Sequence, residues 1–181
     1  MVTGTPIQIL EKWYGMNKIK LHLKDLQEYK AVYEWCTFYV GIEEAYFSKE
    51  ILTEFAIELM QKGEDSELIS ALAWGIAEED FTGIMASIKQ EHRQFLEQGT
   101  DSWEAEYRKL RYVYLKKVEE ATSKNELLDA IAQFYDNFGY PEDMSGFINY
   151  MPQDLPTSSA ELLNRFNCFL AAERRFTLIT Y

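Results

Sequence analysis

From Trp103 to Val118 the large apolar residues Trp103, Tyr107, Leu110, Tyr114, Leu115 and Val118 fall three and four positions apart, with charged residues between them. That period puts one apolar stripe along a helix and leaves the opposite face to water. The same spacing links Ile51, Leu52, Phe55, Leu59 and Met60, then Leu68, Ile69, Leu72, Ala73 and Ile76, then Phe81, Ile84, Met85, Ile88, His92 and Phe95. A striped helix needs other helices to cover it, so the pattern predicts an all-α fold.

Boundaries follow from local chemistry. Residues 7–14 read as one or two helical turns carrying Trp13 and Tyr14 and ending at Gly15. Ile19, Leu21 and Leu23 alternate with Lys20 and His22, which fits a short strand as well as the run-in to a helix. A helix is expected from about Leu23 through Leu26, Tyr29, Val32, Tyr33, Cys36 and Tyr39, broken by Gly41. Ser48 is placed to cap the next helix and Gly63 to end it, and Asp65 or Ser66 starts the one after. Residues 99–102 form a short link before the long helix of Trp103.

Ser123-Lys124-Asn125-Glu126 and Ser158-Ser159-Ala160-Glu161 both have the spacing of a capping box, in which the Ser hydroxyl takes the amide three residues on. The first opens a helix through Leu127, Leu128, Ile131, Phe134, Tyr135 and Phe138, which Gly139 and Pro141 stop; the second opens a last helix through Leu162, Leu163, Phe166, Phe169 and Leu170. Residues 141–157 hold three of the four prolines and are expected to be ordered but irregular. The expectation is one helical domain over residues 1–181, an irregular bundle or stack of about seven helices in antiparallel hairpins, with an ordered Pro-containing loop before the last helix. No pattern returns at the fixed period of a solenoid.

The chain of 181 residues carries 18 Lys and Arg against 30 Asp and Glu, a net charge of −12. Such a field repels phosphate backbones, so neither nucleic acid nor an anionic membrane surface is an expected partner. The 15% aromatic share is enough apolar area to repay ordering, which excludes a disordered tail. No apolar run nears the roughly 20 residues of a membrane span, and the N-terminus lacks a basic flank leading into one, so the cytoplasm is the expected compartment. Cys36 and Cys168 form no CxxC pair and read as reduced, packed side chains.

The inventory for catalysis is short. His22, three residues before Asp25, reads as part of a surface or capping pair, and His92, beside Ile88 and Phe95, as a partly buried, satisfied side chain. Neither histidine has Glu three residues before it, so a ferritin-like dimetal site lacks its imidazoles. The nucleotide-binding, hydrolase, zinc-protease and calcium-loop motifs are absent. No catalytic residue, cofactor or metal ligand is therefore assigned. The alternative is a small-ligand or metal-dependent enzyme working through helical carboxylates. It requires two or more of Glu43, Glu44, Glu54, Glu58, Glu78, Glu79 and Asp80 to converge in a pocket.

Charge is segregated along the chain. Residues 42–80 hold eleven acids against Lys49 and Lys62, a net of −9, and residues 125–161 hold seven acids and no base. Eight of the eighteen basic residues fall within 89–124, where pairing with acidic helices is the ordinary expectation. An acidic surface steers a basic partner. Tyr140, Tyr150 and Met151 alternate with Glu142 and Asp143 in the stiff loop, and such side chains anchor interfaces as readily as they plug the space between helix ends. Candidate partner-binding residues are Glu78, Glu79, Asp80, Tyr140, Glu142, Asp143, Tyr150 and Met151, and the partner expected is a basic protein.

The run Phe134-Tyr135-Asp136-Asn137-Phe138-Gly139-Tyr140-Pro141-Glu142-Asp143, followed by Phe147-Ile148-Asn149-Tyr150-Met151-Pro152, resembles the C-terminal signature of a bacterial family known as a domain of unknown function. Trp13-Tyr14-Gly15 resembles its N-terminal aromatic-Gly element. This sequence departs from that pattern with Gln133-Phe134 and Asn137 where the family has an aliphatic-Tyr-Ala run and an acid. The family is similar in size and helical character to small acidic proteins of toxin and immunity neighbourhoods. The resemblance implies an immunity role and supplies no catalytic set; the segregated acidity, the short catalytic inventory and the stiff aromatic loop lead to the expectation of a non-catalytic acidic protein-interaction domain, of the kind that would inhibit a basic toxin.

Overall fold

The computed structural model describes residues 19–97 and 100–179. Among these, nine α-helices and no strand form an irregular bundle: α1 (Leu23–Glu28), α2 (Trp35–Glu43), α3 (Glu50–Gln61), α4 (Glu67–Ala73), α5 (Glu78–Glu91), α6 (Arg93–Glu97), α7 (Thr100–Ala121), α8 (Leu127–Asn137) and α9 (Ser159–Glu173). Two 3₁₀ turns, Glu142–Phe147 and Arg174–Leu178, flank α9. The expected N-terminal turns and Trp13-Tyr14-Gly15 lie outside the described residues.

Two expected helices are each split. The stripe from Leu23 to Tyr39 divides into α1 and α2 because the chain turns at Lys30, whose φ is 54°. Two main-chain bonds hold the turn, from Ala31 N–H to the Leu26 carbonyl (2.9 Å) and from Val32 N–H to the Thr177 carbonyl (2.8 Å). The second of these comes from the far end of the chain. The stripe through Phe95 divides at His92, which ends α5. Gly41 does not break α2 but lies inside it: a Cβ there would stand 2.3 Å from Phe47 Cδ2 and 2.9 Å from Leu110 Cδ1. Glycine at this position lets α2 approach α7.

Helix α7 is the axis of the bundle, meeting α1, α2, α6, α8, α9 and the last 3₁₀ turn. All seven residues from Lys109 to Leu115 are buried. Leu110, Val113 and Leu115 are fully enclosed, and each such side chain stabilises the fold by roughly 1.5–3 kcal/mol. Around them the core is aromatic, with Phe38 4.7 Å from Phe55 and Phe134 stacked 4.3 Å from Phe138.

Helix ends follow local chemistry in most places. Ser66 Oγ accepts from Ile69 N–H at 3.1 Å, and Ser158 Oγ accepts from Glu161 N–H at 3.2 Å. Gly63 and Gly139 take positive φ values of 85° and 76° after α3 and α8. Ser123 differs from the capping-box expectation. Its hydroxyl donates to Glu126 Oε2 (2.5 Å), and its carbonyl accepts from Glu126 N–H (3.0 Å) in a turn before α8. Lys49, not Ser48, occupies the cap of α3.

The interior is also charged, although the apolar stripes alone would leave the charged helix faces to water. Asp25, Glu106 and Glu173 are buried, as are Lys109 and Arg111. Each acid has a cation: Lys117 Nζ lies 2.7 Å from Asp25, Lys109 Nζ 2.7 Å from Glu106, and Arg111 Nη2 2.6 Å from Glu173. Burial pushes the Glu106 carboxyl above its ordinary pKa, against the pull of Lys109. Of the two cysteines only Cys36 packs inside. Cys168 is exposed, because Leu162, Phe166 and Leu170 hold the buried face of α9 and position 168 points away from it.

Candidate functional site

The loop after α8 is shaped by three consecutive constraints: Gly139 at φ 76°, Tyr140 at φ 59°, and Pro141, which has no N–H to continue a helix. The chain then winds into the 3₁₀ turn Glu142–Phe147 and drives Met144, Phe147 and Ile148 into the core. Farther along, Arg165 of α9 donates from Nη1 to the Gly146 carbonyl (3.0 Å) and to Gln153 Oε1 (2.9 Å). Tyr140 and Tyr150 are exposed beside Tyr135, with ring centroids 5.3 and 6.4 Å from it. The Tyr150 hydroxyl donates to Asp136. Met151 is half-buried against the core. The loop therefore plugs the bundle with one set of side chains and presents Tyr140, Glu142 and Tyr150 to solvent with another.

Beneath the loop lies a network of two guanidinium groups and two carboxylates. Arg111 donates from Nε and Nη2 to Glu173 Oε2 (2.8 and 2.6 Å), and from Nη1 and Nη2 to the two oxygens of Asp143 (2.9 and 2.7 Å). Arg108 holds the other Glu173 oxygen from Nε and Nη2 (2.8 and 2.5 Å). Such forked, charge-assisted bonds fix orientation as well as charge. Burial opposes the charge on Arg111, but Asp143 and Glu173 outweigh it and raise its pKa, so it stays cationic. Its guanidinium lies 4.8 Å from the Phe169 ring centroid and 5.3 Å from that of Tyr107.

Above this network an open pocket of about 610 Å³ lies between α7 and the turn that leaves α8. Glu104, Tyr107 and Arg111 line one side; Phe138, Gly139 and residues 141–143 line the other. Burial raises the Tyr107 phenol above its ordinary pKa, so it is a neutral hydroxyl at physiological pH. Glu104 and Glu142 are exposed at the rim.

The model of the DUF2247 family, described as an uncharacterized protein conserved in bacteria, matches residues 23–174. The chain belongs to the DUF2247 family. No curated protein and no solved structure matches it. The DUF2247 match runs from the first residue of α1 to the residue after α9 and so includes every residue that lines the pocket and Glu173 behind it.

Other proposed residues of this DUF2247 chain sit elsewhere. Glu78, Glu79 and Asp80 form the exposed first turn of α5, a helix packed on α2 and α6, and Glu78 pairs with Lys49. The ion pair of the loop, Asp143 with Arg111, runs to α7, so the two acidic groups belong to different parts of the bundle. Asp143, although partly exposed, is committed to Arg111. The carboxylates that an enzyme reading needed together are apart in function: Glu54 takes His22 Nδ1 and Leu23 N–H (both 2.9 Å), Glu58 takes the Tyr33 hydroxyl (2.8 Å), and Glu44 takes Trp103 Nε1 (2.9 Å). Among the described residues no three His, Cys, Asp or Glu side chains gather as a metal ion requires.

His22 caps α1 through its main chain, its N–H donating to Asp25 Oδ2 at 2.8 Å. Sequence reasoning singled out none of Glu104, Tyr107 and Arg111 as site residues: Tyr107 read as part of the apolar stripe, and Glu104 and Arg111 as charged positions of the same helix. It also missed Trp74, which is 93% exposed at the end of α4. The adjacent Gly75, at φ 102°, is the one local sign that the chain turns there.

Proposed function

We propose that this chain is a non-catalytic, acidic protein-binding domain that works in the cytoplasm and holds a basic protein, as an immunity-type inhibitor of a basic toxin would. The observation that carries this reading is the division of charge between inside and outside. Arg108, Lys109, Arg111, Lys116 and Lys117, the cations of α7, are each paired with a carboxylate of the same chain. All seven acids of residues 125–161 are exposed, as are eight of the eleven in residues 42–80. With Lys109 and Arg111 enclosed, the molecule offers its surroundings chiefly the exposed acids of these two segments. Such a surface accelerates encounter with a basic partner and rejects acidic ones.

The test is co-purification with a salt gradient, using the parent chain and a variant with Glu126→Lys, Glu142→Lys and Asp154→Lys. The reading expects one basic protein at a stoichiometric level, retained at low salt by the parent and lost by the variant. If that protein is a toxin, co-expression of the parent protects cells and co-expression of the variant does not. Equal retention by both forms, or no retained protein, overturns the reading.

A further inference from the structure

We infer that the pocket between α7 and the turn after α8 receives the guanidinium of an arginine side chain on the partner; the inference deepens the reading of this chain as an acidic protein-binding domain and rests on it. The pocket lining carries three carboxylates, Glu104, Glu142 and Asp143, and one cation, Arg111. Arg111 is not free to repel a second cation or to hold an anion. Four of its donor contacts are spent on Asp143 and Glu173, and its charge is balanced by them. Glu104 and Glu142 then remain as exposed rim carboxylates that take part in no ion pair among the described residues. They provide the field for a cation.

The walls decide which cation. Tyr107 lines the pocket with its phenol ring, while Phe138, stacked on Phe134 and Tyr46, closes the other wall; a planar guanidinium stacks on an aromatic ring while its edge donates in a fork to carboxylates. The fold already uses this chemistry twice in the immediate neighbourhood. Arg111 lies against Tyr107 and Phe169, and the Arg108 guanidinium lies 4.2 Å from the Phe176 ring centroid. An ammonium group, compact and strongly hydrated, gains less from the rings and cannot fork. Gly139 keeps the entrance clear, since a Cβ built there meets nothing within 4 Å and its φ of 76° disfavours any side chain. The volume of about 610 Å³ admits one such side chain with water around it.

The experiment titrates the full chain at low salt with acetyl-arginine amide, acetyl-lysine amide and acetyl-citrulline amide, the last an uncharged isostere of the first, and follows amide resonances by NMR. The arginine probe is expected to shift Gly139 and Tyr107 and to bind at least ten-fold more tightly than citrulline and several-fold more tightly than lysine. Replacing both rim acids, Glu104→Gln with Glu142→Gln, is expected to weaken the arginine probe at least ten-fold while leaving the rest of the spectrum unchanged. Equal binding of arginine and citrulline, shifts confined to other surfaces, or full affinity in the double variant overturns the inference, and lysine binding as tightly as arginine overturns the guanidinium assignment. The two readings fail separately. An arginine probe that binds while no basic protein co-purifies removes the proposed function and leaves the pocket. A basic protein retained in full by the rim variant removes the pocket and leaves the proposed function.

Discussion

Tyr46 is fully buried, stacked 4.7 Å from Phe138, and its hydroxyl makes no well-formed hydrogen bond among the described residues, with the Tyr107 side chain its neighbouring polar group. Leaving a buried hydroxyl unpaired costs about 1–3 kcal/mol. Ionisation offers no relief, because burial pushes the phenol well above its ordinary pKa. Tyr46→Phe removes the oxygen and keeps the ring, so it is expected to stabilise the protein by about 1 kcal/mol in urea denaturation; a loss of stability would show that the hydroxyl is satisfied in solution. The cysteines give a second test at this scale. Burial, helped by the nearby Glu106 charge, pushes the Cys36 thiol up to about 12, whereas Cys168 is open to solvent. Only the thiolate attacks a disulfide reagent. Near pH 8 a chromogenic disulfide is expected to modify one thiol of the native protein quickly and the second only after denaturant is added, with Cys168→Ser abolishing the fast phase.

At the scale of elements, Glu58 ties α3 to the turn between α1 and α2. It accepts from the Tyr33 hydroxyl, from Gln27 Nε2 (3.4 Å) and from Lys62, 2.5 Å away on the next turn. Burial works against its charge, but Lys62 and Tyr33 prevail and hold the carboxyl below its ordinary pKa. A group lowered in the folded state stabilises above its unfolded pKa and loses that contribution as pH falls through the folded value. Glu58→Gln is therefore expected to lower Tm at pH 7, by on the order of 1 kcal/mol or less in free energy, and to match the parent only once pH has fallen through the lowered folded value, beneath the ordinary carboxyl pKa of about 4.3, where both side chains are uncharged. A constant gap across that range would locate the effect in packing.

The same elements explain what could be read in advance. Ser66, Ser158, Gly63 and Gly139 act through neighbours within a few residues, so their roles were legible. The turn at Lys30 depends on Val32 bonding to Thr177 across most of the chain, while Leu26, Tyr29, Val32 and Tyr33 keep an unbroken helical period, and nothing local announced it. In the candidate site, Pro141 marked Glu142 and Asp143 as loop residues. Arg111 was hidden because its partners, Asp143 and Glu173, lie 32 and 62 positions away.

For the whole molecule, attraction and repulsion sit at different depths. The pairs Arg111–Glu173, Lys109–Glu106 and Lys117–Asp25 are close and each is largely buried on at least one side, so added salt reaches them poorly. The repulsion comes from exposed acids in residues 42–80 and 125–161, part of a net charge of −12. These charges are spread over the surface, and screening shortens their reach from about 30 Å at 0.01 M salt to about 10 Å at 0.1 M. Folding gathers them closer than the unfolded chain does, so the native state is the one that repulsion penalises. Sodium chloride raised from about 0.01 M to about 0.1 M is therefore expected to increase Tm, with little further change once the Debye length falls to the spacing of neighbouring acids. A Tm that falls with salt would mean that partly exposed ion pairs, such as Lys49–Glu78 and Lys116–Glu119, outweigh the acidic surface in holding the bundle together. Charge reversal with Glu126→Lys and Asp154→Lys separates the two cases: relief of repulsion makes the variant less salt-sensitive than the parent, whereas dominance of exposed pairs leaves the slope unchanged.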